Sequence, residues 1–228
     1  MYKLKNVVTG VIPDLQIPGH IDGALEFCVK EFKKAGVKQV IQIGDLVDHH
    51  FISRHPNELD ALSPKQEWAM ALKELARWKK AFPKVFVARG NHDEIPEKQM
   101  KTLGIPSDVF MRPLNDIYGL PDTWVWQDRY VLFKRVIVEH GMGSGGMYGC
   151  KNTANKMGCS YVQGHTHAHA AVFNLPRPIE NACAMNVGCL MDEDKYNARY
   201  AKQWFKVPMS LGCGIIYSAD RMEFIPFK

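Results

Sequence analysis

Five times along this chain a short apolar run ends on Asp, Asn or His, with glycine close by. The runs are "NVVTGVIPD" (6–14), "VKQVIQIGD" (37–45), "KVFVARGNHD" (84–93), "RVIVEHG" (135–141) and "CSYVQGHTH" (159–167). Val- and Ile-rich runs of this length, stopped by small or polar residues, read as buried strands. Stretches of helical period lie between them. In "DGALEFCVKEFKKAG" (22–36), Leu25, Cys28, Val29 and Phe32 share one face and Gly36 supplies the stop. In "SPKQEWAMALKELARWKKAF" (63–82), Ser63 is placed to cap and Pro64 to take the first helical position. A third helix is expected over 150–158, before the strand at Cys159. Strands alternating with helices give an α/β fold.

After residue 167 the pattern becomes β-rich, over 170–175, 181–190 and 212–227, the last a hairpin turning near Ser218 to Arg221. Nothing in the chain resembles a Gly/Ser/Pro linker, a repeat or a low-complexity tract, so one domain over 1–228 is expected. With 46% hydrophobic and 23% charged residues it has the composition of an ordinary globular protein. No apolar run approaches the roughly 20 residues of a membrane span, and "MYKLKNVVTGVIPD" lacks the pattern of a secretory signal. A cytoplasmic protein without a membrane partner is expected. Its six cysteines form no C-x-x-C pair, which fits a reducing compartment and argues against a thiolate zinc cluster. The formal charge of +5 is spread over small lysine clusters, such as Lys33 and Lys34 or Lys79, Lys80 and Lys84. These read as solvated helix faces or as a surface for a polyanionic partner.

In open α/β sheets the ligand site lies beyond the carboxyl ends of the strands. Here those ends carry Asp14 with Gln16, Asp45 and Asp48 in "GDLVD", Asn91, His92 and Asp93 in "GNHD", His140 in "EHG", and His165 and His167 in "GHTH". Carboxylate, amide oxygen and imidazole without thiolate suit divalent ions such as Mn²⁺, Fe²⁺ or Zn²⁺. So many groups exceed the needs of one ion. A pair of ions about 3.5–4 Å apart and sharing a carboxylate activates water and supports in-line displacement at phosphorus.

The motifs "DLQ", "GDLVD", "GNHD", "HG" and "GHTH", in this order, resemble the calcineurin-like metallophosphoesterases. That resemblance implies two facing mixed β-sheets flanked by helices, a four-layer sandwich with two divalent metals at one edge. Manganese is the first expectation, with iron, zinc or nickel as alternatives. It also implies that Asp45 bridges the metals, that Asp14 and His167 hold the first, and that Asn91, His140 and His165 hold the second. Gln16 stands where the family has His, as a weakened ligand of the first metal. His92 would protonate the leaving group with Asp48 orienting its ring, and the nucleophile would be a metal-activated water. A phosphodiesterase or phosphatase follows, acting on a nucleotide, nucleic acid or small phosphoester.

Position 48 is followed by His49 rather than the Arg of the family's serine/threonine phosphatases, and "GHTH" carries two His, so that branch is disfavoured. The alternative is a member that has kept the fold and lost catalysis to serve as a binding or scaffold protein. Around the motifs, Arg89 would meet substrate phosphate or close a structural ion pair. His49, His50 and His169 would be solvated loop residues or phosphate contacts, while His20 and His55 would be surface or capping residues. Trp68 and Trp78 are expected in the core; Trp124, Trp126, Trp204 and Phe205 pack there or form a stacking rim. The Gly-rich "GMGSGGMYG" (141–149) lacks the spacing of a P-loop and is expected to form a mobile loop over the metals.

Overall fold

A computed structural model describes residues 2–53, 60–199 and 207–228. Two mixed sheets lie face to face, each of six strands among the described residues. One contains β2 (Thr9–Ile12), β3 (Gln39–Gln42), β4 (Val85–Ala88), β5 (Trp124–Gln127), β11 (Gly212–Ile216) and β12 (Met222–Pro226), in the order β12-β11-β2-β3-β4-β5. The other contains β1 (Tyr2–Lys3), β6 (Arg129–Leu132), β7 (Val136–Glu139), β8 (Ser160–Gln163), β9 (Ala170–Leu175) and β10 (Ala182–Val187), in the order β1-β6-β7-β8-β10-β9. Strands β2, β3, β4 and β5 run parallel, as do β7, β8 and β10. The hairpin of β11 and β12 closes its sheet antiparallel to β2.

The two-residue period of a strand explains the layering. On β4, Phe86 and Ala88 face a core shared with Tyr130, Val138, Val162 and Met185 of the other sheet. Their neighbours Val85 and Val87 face a second core with the helices α1 (Ala24–Lys34) and α2 (Pro64–Ala81). That helix-side core takes Leu25, Cys28 and Phe32 from α1, as the helical period predicts, and Leu75 and Trp78 from α2, whereas Val29, expected on the same face of α1, is 39% exposed. Ser63 caps α2 in a full capping box with Gln66, and Pro64 fills the first turn. On the far side, α3 (Gly149–Met157) covers β8 and β10 through Cys150 and Ala154. No helix among the described residues is long and apolar enough to cross a membrane.

Several expectations are corrected. Trp124 is 1% exposed and donates from its indole nitrogen to Phe82 O at 3.0 Å, and Trp126 donates to Asn115 Oδ1 at 2.8 Å beside the same core. Neither forms a stacking rim, because a buried indole N–H takes an internal acceptor. His49 and His50 are buried, at 3% exposure each, instead of solvated. His20 is partly buried with Nε2 3.3 Å from Glu74. His55, Trp204 and Phe205 lie outside the described residues.

Candidate metal centre

The loops that leave β2, β3, β4, β7 and β8 all deliver their polar residues to one edge of the sandwich. Asp14, two residues past β2, is fully buried; its Oδ2 lies 3.0 Å from His167 Nε2 and accepts the His165 backbone N–H at 3.0 Å. Asp45, three past β3, has Oδ2 3.3 Å from His140 Nε2 and accepts the His92 N–H on Oδ1 at 2.8 Å. His140 Nε2 also lies 3.0 Å from Asn91 Oδ1 and 3.2 Å from His165 Nδ1. Two sets of converging donor atoms result: Asp45 with His140 and His165, and Asp14 with Asp45 and His167. Asp45 belongs to both.

The backbone reaches these positions under strain. Asp45 (φ 54°), His165 (φ 66°) and Gln16 (φ 45°) all sit in the left-handed region, which costs a non-glycine residue of order 1 kcal/mol or more. Gly44 is at φ 104°, and a Cβ there would meet Ala88 O and His140 Nδ1 at 2.7 Å. Gly164 leaves no room for a side chain against Asp14 Oδ1. The motif glycines are thus required by close approach of ligand-bearing loops.

Two residues brace the loops without joining the donor sets. Asp93 accepts three backbone N–H groups, from Asp45 and Gly90 on Oδ2 (2.9 Å each) and from Leu46 on Oδ1 (3.1 Å). Gln42, the last residue of β3, donates to Gly44 O at 2.8 Å and Pro13 O at 3.4 Å and accepts from Gly44 N at 2.9 Å. The sequence signal for Gln42 is an amide set between Ile41 and Ile43 in an apolar run; for Asp93 it is the last letter of "GNHD".

Burial alone would lower the pKa of His140, but the carboxylates of Asp45 and Asp14 outweigh it and raise it to about 10. Burial would lower His92 as well, and Asp45 and Asp48 raise it to about 10. His92 Nδ1 is held twice by Asp48, on its carbonyl at 2.7 Å and its Oδ1 at 3.0 Å. A divalent cation fits this donor set. Asp14 Oδ1 and both carboxamide atoms of Gln16 are buried without a hydrogen-bond partner among the described residues, and such groups demand a partner. The imidazoles of His140 and His165 direct nitrogen atoms at one another, an arrangement that a shared cation relieves.

The flanking residues divide. His49 turns away from solvent, its Nε2 2.7 Å from Tyr118 Oη and its ring stacked on Trp68, and burial lowers its pKa to about 4. The His50 ring packs edge-on against Tyr196. His169 is half-buried and closes a turn through its N–H to Thr166 O at 3.0 Å. Arg89 is half-buried, with a buried Nε that has no hydrogen-bond partner among the described residues. The 141–149 loop is anchored by Gln163 Nε2 donating to Ser144 O at 2.8 Å, with Met142, Met147 and Tyr148 exposed.

Residues 8–180 match the family model described as calcineurin-like phosphoesterase. The chain belongs to that family. Solved structures that resemble it include vacuolar protein sorting 29 from Cryptosporidium parvum, 12% identical over 96% of this chain and 95% of that one, with a TM-score of 0.42. YfcE, a phosphoesterase from E. coli, is 15% identical over 97% and 100%, TM-score 0.44. The Pseudomonas putida nuclease MPE is 14% identical over 98% and 86%, TM-score 0.40. No curated protein matches the sequence.

Proposed function

We propose that this chain, as one domain, hydrolyses phosphate esters with two divalent metals, manganese foremost. The observation that carries this reading is the pair of donor sets sharing Asp45, with the carboxylate-held His92 bonded through its backbone to the same Asp45. Asp14, His167 and Gln16 would hold one metal, Asn91, His140 and His165 the other, and Asp45 both. Bound there, the metals would polarise phosphoryl oxygens and lower the pKa of water. Asp48 fixes the His92 ring through Nδ1, which leaves Nε2 as the nitrogen that gives a proton to the departing oxygen. Asp93 and Gln42 hold the loops in register, so the ligands are positioned before substrate arrives.

Gln16 supports the competing reading of a scaffold that has lost catalysis, since an amide oxygen is a poorer ligand than imidazole. The other ligand positions and the Asp48–His92 pair favour catalysis. A Mn²⁺-supplemented panel of nitrophenyl phosphate, bis-nitrophenyl phosphate, a cyclic nucleotide and labelled DNA and RNA decides between them. Turnover of at least one is expected, with a diester preferred; no turnover of any of them would leave the scaffold.

A further inference from the structure

Beside the metal centre, the segment that carries Asn91 and His92 also forms one wall of a cleft of about 330 Å³, lined in part by Arg89, Asp93, Arg112, Met111, Pro113 and Leu114. That volume falls in the range of clefts that hold small ligands. Glu94 and Glu97 also line it, and each is paired to a lysine at 2.7 Å, Lys98 and Lys101 respectively. Asp93 spends both its oxygens on backbone N–H groups. Asp108 is exposed at the cleft and is the one remaining carboxylate of the lining.

Neither Arg89 nor Arg112 has a carboxylate within ion-pair distance among the described residues, although Arg89, after Lys101, acts on Glu97 closely enough to lower its carboxyl. Arg89 also buries its Nε with no acceptor among the described residues, although a buried guanidinium N–H ordinarily has one. A guanidinium fork is suited to a phosphate, which accepts two parallel N–H bonds. The apolar lining from Met111, Pro113 and Leu114 suits the sugar or base that carries such a phosphate.

We infer that this cleft binds a second phosphoryl group of the substrate, on the nucleotide unit next to the ester being cleaved, with Arg89 and Arg112 as its contacts. The choice of a nucleotide rests on the phosphoesterase reading above; the anion subsite itself does not. It makes a substrate with adjacent phosphates, as in a polynucleotide, bind better than an isolated phosphate ester.

The test is a calorimetric titration of the Mn²⁺-loaded full chain with thymidine 5′-methylenephosphonate and its 3′,5′-bis-methylenephosphonate, whose C–P bonds a phosphoesterase leaves intact. The bisphosphonate should bind about tenfold more tightly, equivalent to about 1.4 kcal/mol. Arg112→Gln, at an exposed position that folding tolerates, should bring the two affinities together, and Arg89→Gln should do the same. Equal affinities in the parent protein, or a preference that survives both substitutions, would overturn the subsite. Nitrophenolate release from bis-nitrophenyl phosphate is measured in parallel. A preference for the bisphosphonate with no turnover of this diester or of any other member of the panel above would remove the hydrolase reading and leave the subsite standing.

Discussion

Gln16 buries its whole side chain at a strained backbone position and satisfies neither end of its amide among the described residues. Leaving both ends unpaired costs on the order of 1–3 kcal/mol each, so a ligand for the carbonyl oxygen is the economical explanation. An amide oxygen binds borderline cations less well than imidazole, so coordination by Gln16 would make the Asp14–His167 set the weaker of the two. Dialysis should therefore strip one metal before the other, and Gln16→His should retain both; equal retention before and after substitution would take Gln16 out of the coordination sphere. His92 makes a different demand, because its value depends on the leaving group. His92→Ala should slow esters of poorly acidic alcohols by roughly 10²–10⁴-fold and nitrophenyl esters far less. Equal losses on both would show that His92 only shapes the site.

At the scale of elements, α2 does more than cover the sheet. Its Glu67, 1% exposed, accepts the His50 N–H at 2.9 Å and lies 3.3 Å from Tyr196 Oη, so the helix grips the turn just after Asp48. Burial, helped by the nearby Asp48 carboxylate, raises the Glu67 carboxyl to about 7. A raised acid favours the folded state while it stays protonated: its contribution is complete below the unfolded value near 4.5 and is lost as pH rises through 7. Glu67→Gln should flatten the fall in thermal stability between pH 5 and 8 and gain on the order of 1 kcal/mol at pH 8. An unchanged slope in pH-dependent melting would assign that fall to other groups. The start of α2 was legible because Ser63 and Pro64 are local signals of a helix start. The strands at Trp124–Gln127 and Arg129–Leu132 were not, because "WVWQDRYVLF" is apolar on both faces and its break is a single residue, Asp128. The burial of His49 was equally hidden. It depends on Trp68 and Tyr118, distant in sequence, which supply a stacking partner and a hydrogen bond.

Across the whole molecule, the donor atoms come from both sheets. Asp14, Asp45 and Asn91 follow strands of one sheet, and His140, His165 and His167 follow strands of the other. That five strand ends bring donor groups to one edge was readable in the sequence; which sheet each strand joined was not, since pairing is set by contacts remote in sequence. A cation held by both groups would tie the two layers together at one edge, where five loops rich in carboxylate and imidazole otherwise rely on Asp93, Gln42 and mutual contacts. Binding to the folded state alone stabilises it by about 2.7 kcal/mol at a hundredfold excess over Kd. For a chain of this size each kcal/mol moves Tm by about 2–4 °C, so saturating Mn²⁺ should raise Tm by about 5–10 °C and EDTA should reverse it. Asp45→Asn should remove most of this gain, because Asp45 alone belongs to both donor sets, while Asp14→Asn should remove a smaller part. A melting temperature indifferent to Mn²⁺ would mean that the edge is held together by protein contacts, and the two-metal reading of the site would fall with it.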